Sequence, residues 1–171
     1  MKLTASFKRG VAQAKREWRA ARYDRALAVV SRLLEDWPDN PQLLTMWGAL
    51  VQLQSTDTAA TLDEAKASLE RAVELGEDSP EAWKELGHFL SAVEDDAQGA
   101  SRCFDKAVAL CKGTLAEALL AKADSLSELG RRDEALACLA EAYWLRAHNG
   151  KPAGAAGAEI LDRLKDLART E

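Results

Sequence analysis

The chain is predicted to be all-α, an array of about four helix-turn-helix repeats closed by a C-terminal capping helix. The repeats fall at about residues 7–40, 41–79, 80–115 and 116–149, then a linker over 150–156 and a capping helix over 157–169. Three observations predict this. Small residues return at near-constant intervals: Ala65, Ala100 and Ala135 are 35 apart, with Ala26 another 39 before. Each opens a stripe with spacings of four and three, which keeps its members on one helix face. Turn chemistry separates the stripes at the same period.

The stripes are Ala26–Val30–Leu33, Ala65–Leu69–Ala72, Ala100–Phe104–Ala107 and Ala135–Leu139–Ala142. Upstream of three of them runs a first-helix stripe: Leu44, Trp47, Gly48 and Val51; then Trp83, Leu86, Gly87 and Leu90; then Leu119, Lys122, Ala123 and Leu126. Trp37-Pro38-Asp39-Asn40-Pro41 must interrupt a helix, because proline disfavours helix in the residue before it. Ser79-Pro80 supplies an N-cap followed by a proline at the first helical position. Gly76 and Gly130 are helix stops. The predicted pairs are therefore 4–20/23–36, 41–54/62–75, 80–93/97–112 and 116–129/132–146. Repeat two has extra residues around Ser55–Thr61, so its internal loop is long.

Trp83-Lys84-Glu85-Leu86-Gly87, followed by Ala100 and Phe104, resembles the tetratricopeptide repeat, whose pattern is Trp-x2-Leu-Gly-x2-Tyr, Ala-x3-Phe and a late Pro over 34 residues. Gly130-Arg131-Arg132-Asp133-Glu134-Ala135-Leu136 is similar to the start of that family's second helix, and Trp37-Pro38-Asp39-Asn40 to its closing turn. The copies cover about residues 7–149. The resemblance implies a right-handed α-solenoid that holds other proteins on its concave side. Departures exist: Lys122 stands where leucine is usual, Leu33 replaces a small residue, and repeat one lacks the aromatic-Leu-Gly signature before Ala14. The physical reason for the pattern is independent of the family. Gly48, Gly87 and Ala123 face the alanines of the partner helices, so backbones approach closely enough for ridges to mesh. On this reading Gly87→Leu overpacks the pair. No pair buries its stripe alone, so the repeats must stack.

Beyond the linker, Ile160, Leu161, Leu164 and Leu167 form an apolar stripe, expected to cap the last repeat against Trp144 and Leu145. Trp37 is expected to plug the junction between repeats one and two.

Composition bounds the function. The 171 residues are 47% apolar and 30% charged, with a net charge of −5. Residues 1–25 hold eight basic against two acidic residues, a net +6, which leaves −11 on the remainder. An acidic body argues against nucleic-acid binding, which needs a basic face to release counterions. No apolar run approaches the roughly 20 residues of a membrane span, and Lys8 and Arg9 interrupt any secretory signal. The basic start is similar in composition to a transit peptide, but it falls in register with the repeats and reads as structural. Three cysteines without close pairing fit a reducing, cytoplasmic setting.

No chemistry is expected. Cys103 and Cys138 occupy equivalent repeat positions, Cys111 lies eight residues past Cys103, and all three read as core cysteines; no CxxC or histidine-rich metal spacing occurs. His88 and His148 lie in different repeats, outside any nucleophile motif. Asp63–Glu64 and Asp95–Asp96 start helices or fill loops. Neither a Gly-rich nucleotide motif nor a P-loop is present. The chain reads as a non-enzyme with no cofactor and no metal.

What the architecture offers is a groove. Rotating one residue past each first-helix stripe gives Lys15 and Trp18, with Arg19 beside them; Thr45 and Gln52; Lys84, His88 and Ser91; and Asp124 and Ser127. This mixed polar surface suits an extended peptide or partner helix. The lysine–asparagine clamp with which some tetratricopeptide domains hold a chaperone's carboxylate is not expected, since the matching positions are Val11, Lys15 and Met46. The leading expectation is a protein-interaction scaffold. The alternatives are a dedicated chaperone or neutralising partner for one secreted or toxic protein, similar to class II type III secretion chaperones, and a self-assembling scaffold. In the last, the basic N-terminal end of one copy meets the acidic C-terminal end of another.

Overall fold

The structure, a computed structural model, describes residues 5–54, 60–147 and 155–169, with backbone alone at 155, 156, 168 and 169. Eight helices and no strand occur among the described residues. They are α1 (Ala5–Arg19), α2 (Tyr23–Asp36), α3 (Pro41–Val51), α4 (Leu62–Leu75), α5 (Pro80–Ala92), α6 (Ala97–Glu128), α7 (Arg132–Ala147) and α8 (Ala155–Arg169). None is long and apolar enough to cross a membrane. The extra loop residues 55–59, His148 and the linker up to 154 lie outside the described residues. The contacts divide the chain into two compact units, Met1–Ala107 and Val108–Glu171.

In the first unit α1 packs on α2, α3 on α4, and α5 on the opening turns of α6, where Phe104 and Lys106 meet His88 and Trp83. The pairs join in series, because α3 also packs on α2 and on α5, and α4 on α5. That makes α3 the central helix. Its Leu43, Thr45, Met46, Gly48, Ala49, Leu50 and Val51 are all buried, so beyond the exposed Gln42 burial runs round the helix and is not confined to the expected stripe of Leu44, Trp47, Gly48 and Val51. The outer helices keep one stripe: Phe7, Val11 and Ala14 in α1, Ala26, Leu27, Val30 and Leu33 in α2, and Ala65, Leu69, Ala72 and Val73 in α4.

Side chains at the turns make the helix ends. Asn40 Oδ1 accepts the Leu43 amide at 3.1 Å and Pro41 opens α3. Ser79 Oγ accepts the Ala82 amide at 3.4 Å, with Pro80 opening α5. Thr61 and Glu64 form a reciprocal capping box at α4: the Glu64 amide donates to Thr61 Oγ1 at 3.2 Å, and the Thr61 amide to Glu64 Oε2 at 2.9 Å. Trp37 stands edge-on to Phe7, ring centroids 5.1 Å apart, and closes the end of the first pair beside the core.

Close approach is the recurrent packing device. A Cβ on Gly48 would stand 2.6 Å from Leu69 Cγ and 2.9 Å from the Ala65 carbonyl oxygen. One on Gly87 would stand 2.8 Å from the Phe104 ring, and one on Gly10 2.7 Å from Leu33 Cδ2. Gly10, a turn before Ala14, gives repeat one the close contact that its sequence signature lacks. It meets the larger Leu33 from the α2 stripe.

The predicted break at 113–115 does not occur. α6 runs unbroken through Gly113 and Thr114 to Glu128. Unlike the turns before α3 and α5, this stretch holds no proline. A lone interior glycine costs only about 1 kcal/mol relative to alanine. The Thr114 hydroxyl also donates to the Leu110 carbonyl at 3.1 Å, within the helix and not across a cap. A Cβ on Gly113 would meet nothing within 4 Å. Gly113→Ala is therefore expected to stabilise the second unit by about 0.5–1 kcal/mol. A thermal melt followed by helical circular dichroism checks it.

The second unit is a three-helix cluster. Ala116, Ala123 and Leu126 of α6 pack with Ala135, Cys138, Leu139 and Ala142 of α7 and with Ile160 of α8. Leu145, Tyr143, Leu164 and Leu167 border it. Lys122 is exposed. Trp144, expected beneath the capping helix, is instead 57% exposed. It lies two residues past Ala142, about 200° around the helix from the buried stripe, so the stripe that seats Leu145 turns Trp144 outward.

Candidate functional site

An open pocket of about 750 Å³ lies in the first unit. Its walls come from the C-terminal half of α1 (Lys15, Trp18, Arg19), the start of α3 (Pro41, Gln42, Thr45, Met46), the end of α4 (Leu75, Gly76), and the turn and start of α5 (Asp78, Ser79, Glu81, Glu85). The same geometry that stacks the pairs makes the hollow. α1, α3 and α5 are the first helices of successive pairs, and their second helices bury the opposite faces. Proline at the first helical position of α3 fixes that end of the pocket. Gly76 lets the α4 turn close in, where a Cβ would stand 3.1 Å from Pro41 Cβ.

Four of the residues singled out from sequence come together here: Lys15, Trp18, Arg19 and Thr45. Thr45 is only 5% exposed, and its hydroxyl is committed to the Pro41 carbonyl at 2.8 Å. Trp18 is half-buried against the core. The other six do not line the pocket. Gln52 donates back to the Gly48 carbonyl at 3.2 Å. Ser91 is exposed further along α5, and His88 stacks edge-on against Phe104 at 5.2 Å. Lys84 reaches Glu81 Oε1 at 2.7 Å and Glu85 Oε1 at 3.3 Å. Asp124 and Ser127 belong to the second unit. There Asp124 pairs with Arg163 of α8, and Ser127 Oγ donates to the Ala123 carbonyl at 2.9 Å.

On α5 the pocket face is carried by Glu81 and Glu85, not by Lys84 and His88. The buried set of this helix is Ala82, Leu86, Gly87 and Phe89. Trp83 is only half-buried, its indole N–H donating to the Glu77 carbonyl at 3.0 Å and its ring under Lys106. Taking Trp83 as a stripe centre displaces the expected groove face by about 70° around the helix. The signal that identifies the face is the i, i+4 pair Glu81/Glu85, one residue before Ala82 and Leu86.

The pocket is polarised. Lys15 and Arg19 stand on one wall, and neither makes an ion pair among the described residues. Asp78, Glu81 and Glu85 stand on the other. Glu85 is the most enclosed of these, its side chain 17% exposed. Burial pushes its carboxyl pKa above the ordinary carboxylate value, and the Lys84 ammonium pulls it back without cancelling the shift. Lys84 is held protonated above its usual range, chiefly by its hydrogen bond to Glu81. Because the folded state binds the Glu85 proton more tightly than the unfolded chain, ionisation of Glu85 opposes folding at neutral pH. The penalty fades as pH falls through the raised pKa. Glu85→Gln is therefore expected to raise the melting temperature at pH 7, with the gain shrinking as pH drops to 4. Melts at the two pH values check it.

Two of the three cysteines are occupied by packing. Cys103 is buried in the first core, where desolvation raises its thiol pKa, and Cys138 is buried in the second. Cys111 is exposed on α6, which departs from the expectation of three core cysteines. No group of three or more His, Cys, Asp or Glu side chains placed to hold a metal occurs among the described residues.

Fold and pocket together define the class, an α-helical repeat protein that presents an open, two-signed cleft. No protein-family model and no curated protein matches the chain. Among solved structures it is similar to one described as the crystal structure of MamA protein, at 18% identity and a TM-score of 0.48, with 94% of this chain and 90% of that one covered. A second, described as the crystal structure of MamA, aligns at 19% identity and a TM-score of 0.45, covering 98% and 96%.

Proposed function

We propose that the chain is a cytoplasmic, tetratricopeptide-like interaction scaffold that holds a peptide or partner helix of another protein in the pocket of its first unit. The observation that carries this reading is the pocket's composition. It combines the apolar side chains of Trp18, Met46, Leu75 and Pro41 with charged ones of both signs in one open hollow. Such a surface fits recognition of a protein segment, with apolar anchors for affinity and charges for register. No catalysis is assigned to it. The pocket holds no cysteine or histidine, and its serine caps a helix.

The test is affinity capture from cell extract read by mass spectrometry, comparing wild type, Lys15→Glu/Arg19→Glu in the pocket and Arg32→Glu on the exposed side of α2. The proposal expects a stoichiometric partner retained by wild type and Arg32→Glu and lost from the double variant. Equal capture by all three would place the partner site elsewhere.

A further inference from the structure

We infer that the pocket selects a partner segment carrying charges of both signs, in which an acidic and a basic side chain flank a large apolar residue. This rests on the pocket being the partner site, and it adds the chemistry of what enters. Three features point to it. The two walls have opposite sign, with Lys15 and Arg19 on α1 facing a hollow bounded on α5 by Glu81 and Glu85, with Asp78 in the turn before them. Across that hollow the walls do not neutralise each other. Among the described residues Lys15, Arg19 and Asp78 form no ion pair, and Glu81 and Glu85 find only Lys84 of their own helix. The same hollow is lined by Trp18, Met46 and Leu75, which can accept an apolar side chain.

The helix termini do not by themselves explain the charges. Cations in the last turn of α1 and acids in the first turn of α5 do complement the helix dipoles, but that effect fades beyond the terminal turn. Glu85 lies in the second turn of α5 and Lys15 a full turn before the end of α1. Glu85 is also the carboxylate most withdrawn from water on that wall. An enclosed carboxylate is favoured by an incoming cation, and a cationic side chain of the partner adds to what Lys84 supplies. A segment of one sign only would meet repulsion from one wall whichever way it lay. The same argument disfavours a polyanion such as nucleic acid, which would have to pass Asp78, Glu81 and Glu85.

The experiment uses the full chain and four acetylated, amidated decapeptides built around one central leucine. They carry glutamates before and lysines after it, glutamates only, lysines only, or serines only. Binding is read by titration calorimetry at low and moderate ionic strength. The mixed-charge peptide is expected to bind about tenfold more tightly than either single-sign peptide, with the advantage shrinking as salt rises. Lys15→Glu/Arg19→Glu makes both walls acidic and should move the preference to the lysine peptide. Glu81→Lys/Glu85→Lys should move it to the glutamate peptide. Circular dichroism verifies that each variant is folded. Equal binding of the serine peptide would overturn the charge selection while leaving the pocket as a partner site. Binding of none of the four peptides would overturn the charge selection, and the capture experiment then decides the pocket reading separately. Salt-sensitive self-association abolished by either double variant would make the occupant a second copy of the chain, which also contradicts the inference.

Discussion

Phe89→Ala is expected to remove about 3–5 kcal/mol of stability from the first unit, the cost of an emptied aromatic site in a core that closes only partly around the void. Phe89 is 1% exposed, the largest of the fully buried side chains, and part of a single cluster running from Phe7 to Cys103. It lies on α5, which packs on both α3 and α4. Its loss therefore loosens the contact between successive pairs as well as the pair itself. Urea unfolding followed by tryptophan fluorescence reads this directly, because Trp18, Trp37, Trp47 and Trp83 all lie in the first unit and only Trp144 in the second. A loss below about 1.5 kcal/mol would mean that the cluster is not packed as described.

Gly48→Leu is the second large effect, expected at about 3 kcal/mol or more, the upper end for overpacking. The first added atom meets both Leu69 and the backbone carbonyl of Ala65. A side chain can turn aside, but a carbonyl held in the α4 hydrogen-bond ladder cannot. The first added atom of Gly87→Leu presses on the ring of Phe104, itself half-buried, rather than on backbone, so this should be the milder of the two. The reverse order, measured in the same urea experiment, would locate the tightest approach in the wrong pair.

These glycines explain how much of the structure could be read from sequence. Helix pairing was legible because the alanine stripes and the prolines at Pro41 and Pro80 state local physics that tertiary packing does not override. Gly113 was misleading because a glycine does not by itself end a helix: Gly130, left-handed at φ 70°, follows the end of α6, whereas Gly113 stays inside it, and Thr114 beside it bonds back to the Leu110 carbonyl. The burial of α3 around its circumference was legible but overlooked: from Leu43 to Val51 every residue but Thr45 is apolar or glycine, and a helix that is apolar all round is a buried one. The site was half legible for a related reason. On α1 the residues past the stripe, Lys15 and Trp18, do line the pocket. On α5 an aromatic drew the expected stripe towards Trp83, whereas Ala82, Leu86 and Phe89 carry the burial. The charges that polarise the pocket, Glu81 and Glu85, were hidden among ordinary surface residues, because the sign of a wall has meaning only when the opposite wall is in place.

The most direct test of the account is a double-mutant cycle between Gly87 and Phe104, since close approach of paired helices is what builds each repeat. Gly87→Ala alone places a methyl 2.8 Å from the ring. Phe104→Leu alone removes the ring edge. Their combination should recover about 1 kcal/mol or more relative to the sum of the single effects, because the smaller side chain clears the space that the methyl needs. Additivity to within about 0.5 kcal/mol would show that the two positions do not press on each other, and would contradict the packing on which both fold and pocket depend.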